Sequence, residues 1–159
     1  MRLAARSEDT FDAVYAAHYV PLVRLAYLTT GSVSAAEDVV QDVFAASLRR
    51  WEDVRDPVAY LRRAVVSRCT SWVRRRVLER RWADGPGEPV TVVVPNADAP
   101  AVKAALARLT PRQRAAVFLR FYLDLSETQI AAALGCRPGT VKSLLHRALA
   151  VMREHLDER

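Results

Sequence analysis

Residues 126–149, SETQIAAALGCRPGTVKSLLHRAL, leave the chain few options other than two helices joined by a tight turn. Ser126 can accept from the N–H three residues on while Gln129 reaches back, which makes an S-x-x-Q capping box and opens a helix at Glu127. Ile130, Ala133 and Leu134 recur at helical spacing. Gly135 then stands where a left-handed residue ends a helix without a Cβ penalty. Pro138 suits the first turn of a second helix, whose inward stripe is Val141, Leu145, Ala148 and Met152. The pattern predicts a helix-turn-helix, a motif whose second helix can enter the DNA major groove, roughly 12 Å wide. With Val141 and Leu145 turned inward, Lys142, Ser143, His146 and Arg147 share the opposite face and offer donors to phosphates and base edges. The competing reading is a helical hairpin whose basic face is merely solvated, and DNA binding is the favoured one.

Upstream, apolar positions Phe11, Val14, Tyr15, His18, Leu22 and Leu25 follow a helical period to a stop near Gly31, with a kink or break expected near Tyr19 because Pro21 removes a backbone hydrogen bond. Ser34 and Glu37 read as a capping box for a helix to about Arg50, with Val40, Phe44, Leu48 and Trp51 inward. Its other face clusters Asp38, Gln41 and Asp42, an acidic and amide-bearing patch that would repel DNA; a solvated helix face is its ordinary explanation. Asp56 and Pro57 cap a long helix to about Arg81. Along it eight arginines oppose one acid, Glu79, with Tyr60 and Trp72 among them. That composition suits single-stranded DNA, since guanidinium groups can track phosphates while rings stack on unpaired bases, unless the rings simply pack in the core. Residues 83–99, rich in Gly and Pro, read as a linker in which Val90 to Val94 stay extended. A small helix is expected from Asp98 to Leu109. Thr110-Pro111-Arg112-Gln113 then forms a third capping box and opens a helix to about Leu123.

The formal net charge of +6 is unevenly placed: −3 over residues 1–56, +7 over 57–82, −3 over 83–99 and +5 over 100–159. Two basic blocks separated by acidic stretches fit a nucleic-acid partner. No apolar run approaches the roughly 20 residues that cross a bilayer, and the N-terminus lacks a signal-peptide core, so a soluble cytoplasmic protein without membrane insertion is expected. Cys69 and Cys136 have no CxxC partner, and His18, His146 and His155 have no metal spacing, so neither a disulfide framework, a metal nor any other cofactor is expected. No phosphate loop, activated nucleophile or convergent carboxylate pair argues for an enzyme. With 159 residues, the fold class is all-α: two small helical domains joined by a Pro/Gly-containing linker, the second ending in the helix-turn-helix.

The order of parts resembles the extracytoplasmic-function sigma factors of bacterial RNA polymerase, within the sigma-70 superfamily. Residues 11–82, notably AEDVVQDVF at 36–44 and RDPVAYLRRAVVSRCTSWVRRR at 55–76, resemble region 2 of that family. Residues 100–155, notably LTPRQRAAVFLRFYLDLSETQIAAALGCRPGTVKSLLHRAL, resemble region 4. A tail of residues 1–10 and the linker complete the chain. The resemblance implies that Asp38, Gln41 and Asp42 dock on core RNA polymerase. It implies that Trp51, Arg62, Arg63, Arg68, Trp72 and Arg75 meet the melted minus-10 element, including a flipped base. It assigns Arg137, Thr140, Lys142, Ser143, His146 and Arg147 to the double-stranded minus-35 element. Where the family frequently has Lys-Ser-Arg, this chain has Lys142-Ser143-Leu144, and Arg137 is the candidate to replace the missing phosphate contact. The family habit also implies an anti-sigma factor as partner. Two rivals compete with a promoter-directing sigma factor: a free-standing helix-turn-helix regulator, and an adaptor that binds polymerase but not DNA. The first leaves the Asp38 patch and the arginine helix without roles; the second is opposed by the basic block and the reading helix.

Overall fold

A computed structural model describes residues 10–82 and 100–158. It contains seven α-helices among the described residues: α1 (Phe11–Thr30), α2 (Val33–Leu48), α3 (Pro57–Trp82), α4 (Pro100–Ala107), α5 (Pro111–Val117), α6 (Glu127–Leu134) and α7 (Pro138–Asp157). A single 3₁₀ turn, Trp51–Asp53, joins α2 to α3. The linker and its Val90 to Val94 stretch lie outside the described residues.

Helix ends follow from cap chemistry. Thr10 accepts from the Ala13 N–H, and Gly31, at φ 74°, closes α1 in the left-handed region. Of the kink or break expected near Tyr19, the break does not occur: the helix runs continuously through Pro21. The carbonyl that Pro21 leaves unpaired belongs to exposed Ala17, so water can satisfy it. The cap of α2 is Ser32 rather than Ser34: the extended backbone just after Gly31 aims the Ser32 hydroxyl at the Ala35 N–H. Asp56 caps α3 through the Ala59 N–H at 3.1 Å. The Thr110/Gln113 and Ser126/Gln129 boxes both form reciprocally. Beyond Val117, α5 widens into one π-type turn, Phe118–Tyr122, in which the Leu123 N–H reaches Phe118 O. Asp124 then takes a left-handed conformation at φ 52°, which an aspartate tolerates better than a branched residue.

Helices α1, α2 and α3 pack together around Leu25, Val40, Val43, Phe44, Leu61 and Val65, each no more than 2% exposed. On α2 the buried face is Ala36, Val39, Val40, Val43, Phe44 and Ser47. Leu48, expected inward, is instead 57% exposed, because it sits just past that face where the helix ends. Helices α4 to α7 pack around Leu119, Ile130, Val141 and Ala148. The two halves also meet, α6 lying against α3 and α5 against the end of α1.

Buried Arg114 sits at that junction. Its Nε donates to Leu28 O and its Nη1 to Leu109 O, both at 2.6 Å. Leu28 lies in the last turn of α1, whose carbonyls lack intrahelical partners and carry the negative end of the helix dipole. A guanidinium satisfies both needs at once. Burial lowers the pKa of Arg114 below its ordinary value. Nearby, Arg24 donates to the Tyr122 hydroxyl and lies over its ring, tying α1 to the π-type turn.

Candidate nucleic-acid interface

The turn between α6 and α7 is three residues long. Gly135, at φ 67°, ends α6, and its N–H bonds back to Ala131 O. Arg137 is extended and places Pro138 at the first position of α7, but its side chain makes no cap hydrogen bond and remains exposed. Val141, Leu145 and Ala148 are buried, and Met152 is half-buried. That anchoring leaves Thr140, Lys142, Ser143, His146 and Arg147 exposed along the first three turns of α7. Ser143 donates to Gly139 O at 3.2 Å, so its hydroxyl meets a partner as an acceptor. The six residues expected on this element therefore form one accessible surface, in which two side chains, Lys142 and Arg147, supply permanent charge beside that of Arg137.

On α2, Asp38, Gln41 and Asp42 are all exposed. Gln41 lies 3.4 Å from the Tyr19 hydroxyl, and Asp42 lies 3.9 Å from Arg68 of α3. The pair is solvent-exposed and therefore weakly coupled. It nonetheless shows that the acidic patch borders the arginine helix directly.

The six side chains expected at the melted element do not share one face. At 100° per residue, Arg68, Trp72 and Arg75 fall within about 60° of one another on α3. Trp72 is half-buried, with Arg76 5.8 Å from its ring centroid, so one ring face already carries a guanidinium. Arg62 lies about a third of a turn away and is half-buried; desolvation lowers its pKa and neighbouring Asp56 raises it. Beside it, His18 is held below its ordinary pKa, first by burial and then by the Arg62 charge. Arg63 points a different way again. Its Nη1 donates to Ala132 O of α6 at 3.2 Å, in the turn that precedes Gly135.

Trp51 packs edge-on against Phe11, with ring centroids 5.0 Å apart, and borders a cavity of about 460 Å³. Leu48, Val54 and Pro57 complete its apolar wall, while Glu52 and Arg55 line its rim. This volume falls within the usual range of small-ligand pockets. Sequence reasoning found Trp51 but not this wall. The signal available was an apolar Leu48 at the end of a helix, three residues before Trp51.

Models of two family regions match the chain: sigma-70 region 2 over residues 14–78 and sigma-70 region 4 over residues 100–152. The RNA polymerase sigma-E factor of Streptomyces antibioticus is 40% identical over 131 residues, spanning 78% of this chain and 72% of the relative. The ECF RNA polymerase sigma factor SigL of Mycobacterium tuberculosis is 34% identical over 168 residues, spanning 98% and 93%. The chain belongs to the extracytoplasmic-function family of RNA polymerase sigma factors.

The architecture agrees. The sigma factor RpoE of Bartonella quintana, solved in complex with the anti-sigma factor NepR, matches with a TM-score of 0.79 at 26% identity, over 92% of this chain and 96% of that one. The protein is thus a sigma factor, acting with RNA polymerase in promoter-directed initiation, and the free-standing regulator is excluded by the presence of both regions. No helix among the described residues is long and apolar enough to cross a membrane.

Proposed function

We infer that this sigma factor divides its work among three surfaces. Asp38, Gln41 and Asp42 dock on core RNA polymerase, where a negative patch meets a positive one. Arg68, Trp72 and Arg75, with Trp51 and its cavity, hold the opened minus-10 strand, and an unstacked base enters beside Trp51. Arg62 flanks this surface, and Arg63 joins it once released from α6. Lys142, Ser143, His146, Arg147, Thr140 and Arg137 read the minus-35 duplex, Arg137 replacing the phosphate contact that Leu144 does not supply. The observation that carries this reading is the burial pattern of α7: Val141, Leu145 and Ala148 are buried while every residue assigned to the minus-35 duplex stays exposed.

The working units are residues 11–82 and 100–155, joined by 83–99. Two promoter elements about 25 base pairs apart lie about 85 Å apart along a straight duplex, at 3.4 Å per pair. The 17 linker residues can span about 60 Å at most. The two halves, which touch through Arg63 and Arg114, part when both elements are engaged, and the linker together with the width of each half makes up the span. An anti-sigma protein is the expected antagonist, since the matching arrangement in the Bartonella relative belongs to such a complex. The protein acts in the cytoplasm and performs no covalent step; phosphodiester chemistry remains with the polymerase.

The test combines the full chain with bacterial core RNA polymerase and promoter DNA and follows permanganate reactivity of unpaired thymines. A stable complex with reactive thymines near the start site is the expected result. A stable complex without reactive thymines would overturn the strand-holding role of the α3 surface.

A further inference from the structure

The side of α3 turned away from its Arg68–Trp72–Arg75 stripe forms one wall of a second cleft, of about 220 Å³, where the two halves of the molecule meet. Arg63, Ser67, Thr70, Ser71 and Arg74 line it from α3, and Arg112 lines it from the first turn of α5. Among the described residues, no carboxylate lines it. Arg63 spends one donor on Ala132 O. Arg74 and Arg112 make no hydrogen bond or ion pair among the described residues. Thr70 and Ser71 donate to carbonyls of their own helix, which leaves Ser67 as a free hydroxyl donor. Three like charges converging on one polar cleft repel each other, and an anion placed between them removes that repulsion while accepting charge-assisted hydrogen bonds. The cleft is long as well as basic. Arg63 and Arg74 are eleven residues apart on one helix, their backbones about 16 Å apart along its axis, a spacing that several phosphoryl groups in a row match better than one.

We propose that this cleft is a binding site for an oligophosphate anion, a ligand carrying several phosphoryl groups in a row, held by Arg63, Arg74 and Ser67 from one half of the molecule and by Arg112 from the other. Arg112 belongs to the second half, so the site is complete only while α6 lies against α3. The ligand consequently favours the packed arrangement over the parted one by mass action. The same chemistry could reach the cleft as a free oligophosphate or as the backbone of a nucleic-acid strand, and the two sources are separable.

The experiment titrates the free full chain with sodium tripolyphosphate, and in parallel with an abasic oligodeoxynucleotide that offers phosphates but no bases. Three proteins are compared: wild type, the double variant Arg74→Gln/Arg112→Gln, and Arg49→Gln/Arg50→Gln, which removes the same charge outside the cleft. Wild type should bind tripolyphosphate with one-to-one stoichiometry and gain thermal stability from it. The cleft variant should bind at least tenfold more weakly, while the control changes less than twofold. Sensitivity of tripolyphosphate alone identifies a free oligophosphate; sensitivity of the abasic strand identifies a nucleic-acid backbone in the same cleft. Equal losses in both variants, or none in either, would reduce the effect to general attraction by a basic protein and overturn the site. No polymerase or promoter enters the titration, so its outcome is independent of the assignment of the three docking surfaces.

Discussion

At the residue scale, the side chains that matter most are those whose surroundings fix their charge or access. Asp42 is exposed, so its reversal leaves the core of α1, α2 and α3 intact. Asp42→Arg should weaken affinity for core polymerase at least tenfold while changing stability by less than about 0.5 kcal/mol, as exposed substitutions usually do. Fluorescence titration with core polymerase beside a urea melt checks both, and unchanged affinity would return the patch to a solvated helix face. His18 offers a second test, through acid. Its pKa is lowered in the fold by burial and by Arg62, so between that lowered value and the ordinary 6.5 the unfolded chain binds more protons than the folded one. Stability from this residue is therefore complete above about pH 6.5 and is lost as the pH falls toward the lowered value. His18→Gln should flatten the dependence of the thermal midpoint on pH between 7.5 and 5.5; an unaltered slope would assign the effect to other groups. Cys69 is the inert counterpart, fully buried and pushed up to about 12 by desolvation, so it carries no thiolate at neutral pH.

At the element scale, the turn between α6 and α7 is where local chemistry and long-range packing coincide. Gly135 answers two constraints, a strict one on the backbone and a softer one from the tip of a flexible side chain. Its φ of 67° disfavours any residue with a Cβ, and a Cβ built there would lie 2.8 Å from Arg63 Nη1. Gly135→Ala should cost about 1–2 kcal/mol from backbone strain, with a further penalty from displacing Arg63. Urea denaturation of Gly135→Ala, Arg63→Ala and the double variant separates these effects: the double variant should recover the steric part and retain the strain. Strict additivity would mean that the guanidinium moves aside freely. The same element shows what periodicity can and cannot specify. The capping boxes at Thr110 and Ser126, the Gly135 stop and the Val141 stripe depend on contacts three or four residues apart, which spacing states directly. The misplaced cap of α2 shows the limit. Ser32 and Ser34 are both suitable caps, and the choice between them was made by the left-handed Gly31 immediately before.

At the scale of the whole molecule, Arg114 is the residue that holds the halves together from inside. It looks like one more arginine in a basic block, yet it is only 4% exposed and serves carbonyls 86 and 5 residues away. Arg114→Ala would leave Leu28 O and Leu109 O without their donor and should cost about 1–3 kcal/mol in a urea melt, whereas exposed Arg108→Ala should cost less than about 0.5 kcal/mol. Affinity for a minus-35 duplex should be unchanged in Arg114→Ala, because its contacts lie away from the α7 face; a parallel loss would place Arg114 in the reading unit itself. Helix order, the caps at Asp56, Thr110 and Ser126, the all-α class and the exposure of the α7 reading face were determined by the sequence alone, since each rests on hydrogen bonds and apolar spacing within one or two turns. The tertiary structure alone decided that Arg63 faces α6 while Arg68 and Trp72 do not, that Arg114 is buried, and that Trp51 borders a cavity. Those facts depend on which distant segment covers a given helix face, and a helix carries no local record of its neighbours.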